Sequence, residues 1–488
     1  MEYSSKLEWE YLKDEKNIPL NNFNKFISEL KLKYAKSIQI KRQNNYNIKI
    51  KIIGDYDLED ITTIREVKQP FDIKIENSYN EHYLKNCFIE KYSFSNDTYE
   101  IIIDVSEIQN INKNQKKEIK CLKEWYLNFT KNSFIYRKTT TFSSKKEFTK
   151  RRNIPLCANI TNTENEIETT IRNALFIEVD EYKFIIQEVP KIFNPKWSTN
   201  IGIEYFDTEK LPDEETREKI RKILSFIFGR NLIKIGETAY DEEWNIIEEK
   251  SIRPNISDLT NLRNLCRRMD LNAIPLDYPR NYEIENNLNK LINCFLKNNI
   301  DLSHIIQLLI NSMSLPVESE IIIIGSSLDK LTEIWFKSSL STSKGKIINK
   351  RKFNSIMGNI LNEIKEKFKD HPEIYGKIEN SHNLSGRKRV DLFLEELEIN
   401  FGEVENEARN YRNFPAHGNE ISEPDYEKLI YLTYAYRTFL NRIVLKILNH
   451  SEYYDLITKQ VLDIKNEIPE NNYEKFLNEV NKVYGNEN

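Results

Sequence analysis

The segment RNFPAHG holds Arg412, Asn413 and His417. Arginine is a permanent cation whose planar fork matches phosphate oxygens, and histidine is the side chain that takes and returns a proton near neutral pH. Asn413 can anchor either partner or a backbone group. Together these are residues that grip and cleave a phosphodiester. Pro415 has no amide hydrogen to give Tyr411 and disfavours helical geometry at Phe414, so a helix entering the segment must kink or stop there. Gly418 adds further freedom before the chain resumes. Arg412 and His417 are thereby placed at a helix end. The structural alternative has His417 capping that helix and Arg412 paired with Glu407 or Glu420 on the surface. Arg-x4-His alone recurs by chance in many proteins, so the surrounding elements carry the discrimination.

Residues 46–190 read as short strands with polar breaks: YNIKIKII, FDIKIENS, YEIIIDVSEI, NSFIYRKTTTF and ALFIEVDEYKFIIQEV, many alternating and rich in Ile, Phe and Tyr. The last predicts a hairpin turning at Asp180 and Glu181. A helix is expected over 212–228, with acidic residues in its first turn and Gly229 at its end. NLIKIGETAYDEEWNIIEE then reads as a strand pair that closes the first domain near Pro254. Beyond about residue 261 the pattern is helical. In VESEIIIIGSSLDKLTEIWF the positions Val317, Ile321, Ile324, Leu328, Leu331 and Trp335 form the seam of a helix buried in a bundle. After Ser422 the positions Leu429, Leu432, Tyr436, Phe439, Ile443 and Ile447 do the same. Ser422 with Asp425 makes a capping box, and Pro424 sits in the first turn, where its missing N–H is tolerated. Helices over 387–399 and 403–413, separated near Gly402, together with 282–310 complete a bundle of at least four helices. The fold class is therefore α+β. A β-rich, sandwich-like recognition or sensor domain spans 1–255, an all-α bundle spans 256–465, and a helical tail spans 466–488.

In that setting RNFPAHG, between an amphipathic helix and a capped one, resembles the HEPN family, whose hallmark is Rx4-6H within a four-helix bundle. VESEIIIIGSSLDKL is similar to that family's earlier core helix, with the acidic Asp329 near its middle. The β-rich half with ILSFIFGRNLIKIGETAYD ahead of the bundle resembles the ApeA-like branch of anti-phage HEPN proteins. The resemblance implies a metal-independent endoribonuclease with no cofactor. In it the ribose 2′-hydroxyl attacks the adjacent phosphate, His417 serves as acid or base, Arg412 and Asn413 hold the phosphate, and Asp329 and Arg409 assist. Cleavage asks for both an acid and a base. One motif supplies one histidine, so a homodimer or higher assembly sharing the site is implied. Cellular RNA such as tRNA as substrate, a phage-derived trigger and a role in abortive infection are implied in the same way. A non-catalytic HEPN-like module that binds nucleotide, RNA or a partner protein is the alternative. On the residues alone, Arg409 and Asn410 read as a solvated helix face, and Asp329 as either a polar core residue or an orienting one.

The formal charge of -4 excludes a global basic field, so nucleic-acid contact must be local. The stretch 137–153 has seven basic residues (Arg137, Lys138, Lys145, Lys146, Lys150, Arg151, Arg152) and one acidic residue, with Phe142 and Phe148 interleaved, as a phosphate-tracking surface with stacking rings requires. Such runs are also found as solvated loops. Lys350, Arg351 and Lys352 form a second candidate RNA contact within KGKIINKRK, and residues 387–389 add further charge. The five cysteines never approach CxxC spacing, and with no signal-peptide pattern the expectation is reduced thiols in the cytoplasm. The remaining histidines lack metal-ligand spacing, so no metal site is expected. The longest apolar run is too short to span a bilayer, so no membrane contact is expected. There is no phosphate-binding glycine loop, GxSxG elbow or HExxH helix. With 488 residues, 39% of them hydrophobic, the chain can fill two or three cores.

Overall fold

The computed structural model describes residues 15–19, 25–28, 32, 34–43, 45–76, 79–95, 97–114, 118–129, 174–180, 182–188, 199–206, 210–242, 245–255, 271–276, 281–416, 423–470 and 473–477. The fold is α+β, an antiparallel sheet region followed by a helical region. The chain forms two compact units. One comprises Met1–Arg221, Arg230–Met269 and Leu276–Lys290, the other Lys222–Gly229, Asp270–Pro275 and Leu291–Asn488. Among the described residues no helix is long and apolar enough to cross a membrane.

The first unit carries β1 (Lys16–Pro19), β2 (Lys25–Ser28), β3 (Ala35–Arg42), β4 (Ile48–Asp55), α1 (Leu58–Glu66), β5 (Phe71–Glu76), β6 (Asn80–Phe94), β7 (Thr98–Val105), β8 (Glu107–Asn112), β9 (Cys121–Phe129), β10 (Ala174–Val179), β11 (Tyr182–Glu188), β12 (Thr199–Phe206), β13 (Ile233–Tyr240) and β14 (Ile246–Ile252). The strands run in the order β1-β3-β4-β7-β6-β8-β14-β13-β9-β12-β11-β10, with β2 and β5 branching from β6. β6 makes this a layered structure. Its first half pairs with β8 and β5, and its second half pairs with β7. Ile38, Ile50, Ile101 and Ile103 from one layer therefore share a single core with Ile73, Ile75, Leu84 and Ile108 from the other. The alternation read in YNIKIKII is the cause: Ile48, Ile50 and Ile52 are buried while Lys49 and Lys51 lie on the opposite face. The hairpin at Asp180 is present, with Val179 opposite Tyr182 and a positive φ of 47° at Asp180. The expected strand NSFIYRKTTTF lies outside the described residues.

The expected helix over 212–228 is α2 (Glu214–Ile227), where Asp213 accepts the Thr216 amide at 2.8 Å and Gly229 adopts φ 59° just beyond the end. On the sheet, Glu124 is buried but satisfied, accepting from Arg217 Nε at 3.0 Å, Lys234 Nζ at 2.6 Å and Tyr126 Oη at 2.7 Å. Glu237 continues the network through Lys234 at 2.6 Å and Lys250 at 2.7 Å. Burial opposes its charge, yet the two ammonium groups outweigh this and bring its pKa down to about 2.

The helical region has α3 (Asn281–Lys297), α4 (Ser303–Ser312), α5 (Val317–Lys337), α6 (Lys350–Lys367), α7 (Pro372–Glu379), α8 (Gly386–Glu396), α9 (Glu403–Tyr411), the short α10 (Asn413–Ala416) and α11 (Glu423–Ile447), then a ribbon of β15 (Glu452–Tyr454) and β16 (Val461–Asp463). The helical run 282–310 is divided into two helices. Asn298 turns its side chain onto the Ile300 amide at 2.9 Å, and that local bond competes with helix continuation. Two helices were not among those expected: α6, which begins inside the basic run 344–352, and α7. The expected helical tail over 466–488 is not helical at 466–470, where Pro469 disfavours helical geometry at Ile468. Short helical structure occurs at 473–477, and 471–472 and 478–488 lie outside the described residues, as does Ser422 of the expected capping box.

The expected seams are the core. Ile321, Ile324, Leu328, Leu331 and Trp335 of α5 are buried, as are Leu429, Leu432, Tyr436, Phe439, Ile443 and Ile447 of α11. α5 packs against α4, α8, α10 and α11, and α11 also packs on α9. Two buried arginines tie the bundle. Arg437 meets Glu320 and Ser312, each at 2.6 Å, and Arg442 meets Glu405 at 3.1 Å and the Ile464 carbonyl at 2.7 Å.

Candidate phosphate-binding site

α9 ends where the sequence required. Tyr411 is its last residue, Arg412 caps it, and α10 begins at Asn413 and contains Pro415. Stacking of the Tyr411 and Phe414 rings, with centroids 5.5 Å apart, holds this corner. The Arg412 side chain then crosses α5 at Gly325. A Cβ on Gly325 would lie 2.4 Å from Arg412 Cδ and 2.7 Å from its Nη1. One turn further along the same helix face, Asp329 Oδ2 receives Arg412 Nη1 at 2.9 Å. Burial works against the Arg412 charge, but Tyr436 and Asp329 outweigh it and hold the pKa above its ordinary value. Tyr436 Oη is buried beside the guanidinium without a hydrogen bond of standard geometry, and its own pKa is pushed up to about 12, chiefly by burial.

Arg409 is not on a solvated face, as the residues alone suggested. It is 8% exposed and donates to Asp391 Oδ1 at 2.5 Å and to the Arg387 carbonyl at 2.8 Å, because α8 lies over this face of α9. α8 is itself fixed to α5 by Trp335 Nε1, which donates to Glu396 at 2.6 Å. Burial disfavours the Glu396 carboxylate, but the Ser343 and Trp335 donors prevail and bring its pKa down to about 2. Asn410 is exposed, one position on.

These elements enclose a cleft of about 340 Å³ lined by Arg387, Arg389, Arg409 and Arg412, by Asn410 and Asn413, and by Asp329 and Thr332. Its described lining holds four guanidinium groups and one carboxylate. Such a cavity suits an oxyanion, with arginine forks for its oxygens and amides to orient it.

Arg412 and Asn413 of the motif are thus brought together with Asp329 and Arg409 around one cleft. The surface alternative for Arg412 is not realised with Glu407, which pairs instead with Lys428 at 2.5 Å. Lys350, Arg351 and Lys352 form the exposed first turn of α6 and do not line the cleft. His417, Glu420 and the whole of Arg137, Lys138, Lys145, Lys146, Lys150, Arg151 and Arg152 lie outside the described residues. Sequence reasoning missed Gly325. The signal was present as a glycine in the interior of an otherwise strong helix, where it costs about 1 kcal/mol against alanine. No family model matches the chain, and neither any curated protein nor any solved structure matches it significantly.

Proposed function

We propose that the chain is a metal-independent endoribonuclease of the HEPN type, acting at the Arg412 cleft. The single observation that carries this reading is the placement of Arg412 at a broken helix end, on an open cleft rich in arginine and asparagine. There its guanidinium takes a phosphate oxygen and stabilises charge developing during attack by the ribose 2′-hydroxyl. Asn413 orients the same phosphate, and His417, immediately after α10 in sequence, acts as acid or base. Asp329 aims the Arg412 fork. Because each chain has one motif histidine, the reading includes a site shared across a two-fold axis. The resemblance to the ApeA-like branch extends it to anti-phage defence and to cellular RNA, tRNA among them, as substrate.

A second reading has a specific observation in its favour. The described lining of the cleft offers cations and amides for holding an anion and no imidazole. That is the composition a non-catalytic RNA- or nucleotide-binding module needs. Purified protein mixed with total RNA in EDTA separates the two. Defined fragments with 2′,3′-cyclic phosphate and 5′-hydroxyl ends support the nuclease, whereas retained but intact RNA supports the binding module. Fragments with 5′-phosphates formed only with Mg²⁺ refute the proposed chemistry.

A further inference from the structure

We infer that Arg387 and Arg389, on the first turn of α8, hold a second phosphate of the same strand whose scissile phosphate Arg412 takes. This rests on the phosphodiester reading of the cleft and adds to it a substrate class, a continuous polynucleotide gripped by its backbone.

Charge pairing across the cleft is uneven. Arg412 is met by Asp329 at 2.9 Å and Arg409 by Asp391 at 2.5 Å. Among the described residues Arg387 and Arg389 have no such ion pair, although they line the same cavity. Arg389 is held in place by its guanidinium lying 5.6 Å from the centre of the Phe336 ring. A guanidinium already oriented loses little freedom on meeting an oxyanion. The Arg387 backbone is anchored by the bond from Arg409 to its carbonyl. Gly386 and Arg387 bring the positive end of α8 to the cavity wall, adding to the attraction of the side chains.

The lining also says which part of a nucleic acid is held. A volume of about 340 Å³ admits a nucleotide-sized group, yet none of the described lining residues is aromatic. Stacking on rings is how bases are held in single-strand sites, and the described lining offers cations and amides instead. That lining suits sugar-phosphate, with a hold tolerant of sequence.

The test uses a labelled 2′-O-methyl RNA oligonucleotide, which cannot be cut, so binding is measured apart from chemistry. Affinity by fluorescence anisotropy is followed over a range of NaCl for wild-type protein, Arg387→Gln, Arg389→Gln and the double variant. Arg387→Gln, at an exposed position, stays informative if loss of the Arg389 contact with Phe336 disturbs folding. The expected result is a roughly tenfold weaker complex at low salt, with the slope of log affinity against log salt reduced by about 0.7, the share of one single-strand phosphate. A neutral methylphosphonate beside the scissile position should weaken wild-type binding and leave the double variant unchanged. Unchanged affinity and slope in folded variants would overturn the inference while leaving Arg412-dependent cleavage standing. Binding that behaves as expected in a protein that never cuts RNA would remove the nuclease reading and keep the second phosphate. If a nucleoside triphosphate displaces the oligonucleotide and the methylphosphonate has no effect, the arginines serve a free nucleotide and the strand assignment falls.

Discussion

Gly325→Ala isolates the geometry of the candidate site from the stability of the fold. The added methyl would sit 2.4 Å from Arg412 Cδ, so the side chain must retreat by about 1 Å to reach ordinary carbon contact near ~3.5 Å. The obstacle is the far part of a flexible side chain, which can move. Alanine gains about 1 kcal/mol of helix propensity over glycine. Against this stand about 1 kcal/mol or somewhat more of overpacking and the loss of an ion pair whose Asp329 side is half exposed, worth at most about 1 kcal/mol. The net is between no change and about 1 kcal/mol of destabilisation, so thermal unfolding should fall by no more than about 2 to 4 °C. Activity is another matter. On the proposed nuclease function, in which Arg412 positions the reacting phosphate, a displacement of about 1 Å costs roughly 100-fold, about 2.7 kcal/mol of barrier. The assay is cleavage of a fluorogenic RNA in EDTA alongside a thermal melt of the same preparation, with wild-type protein as reference. Full activity in a folded Gly325→Ala protein would refute the idea that this notch sets the position of Arg412.

Arg412→Lys should lose roughly 100-fold or more in the same assay, because a point charge does not reproduce the guanidinium fork, and His417→Ala should lose at least as much without altering the melt. Glu237 has a folded pKa of about 2, below its unfolded value, so its stabilisation is present above about pH 4.5 and is lost as pH falls towards 2. Urea unfolding across that window should show roughly 3 kcal/mol of acid sensitivity that is missing from Glu237→Gln. Arg437→Met removes the guanidinium that meets the buried Glu320 carboxylate and should destabilise the protein by about 3 to 5 kcal/mol in denaturant titrations, with much of the loss recovered when Glu320 is also replaced by leucine.

Local chemistry determined a large part of this molecule from sequence. The alternation of Ile48, Ile50 and Ile52 with lysines set the faces of β4, and the spacing of apolar residues along α5 and α11 set which stripe is buried. Pro415 and its neighbours announced the break after Tyr411. Each depends on residues within a few positions of one another, so each was legible in one chain. Tertiary structure decided which distant groups meet. β9 escaped notice because Lys123 and Glu124 look too polar for a buried strand; they are tolerated because Glu204, Arg217 and Lys234, remote in sequence, neutralise them. Arg409 read as solvated because only the packing of α8 reveals that Asp391 and the Arg387 carbonyl cover it. Asp329 stood between a core residue and an orienting one until Gly325 let Arg412 cross α5 to reach it. Periodicity tells a side chain which way to face; the choice of charged partner depends on which helices cross, and that is settled by packing of the whole bundle.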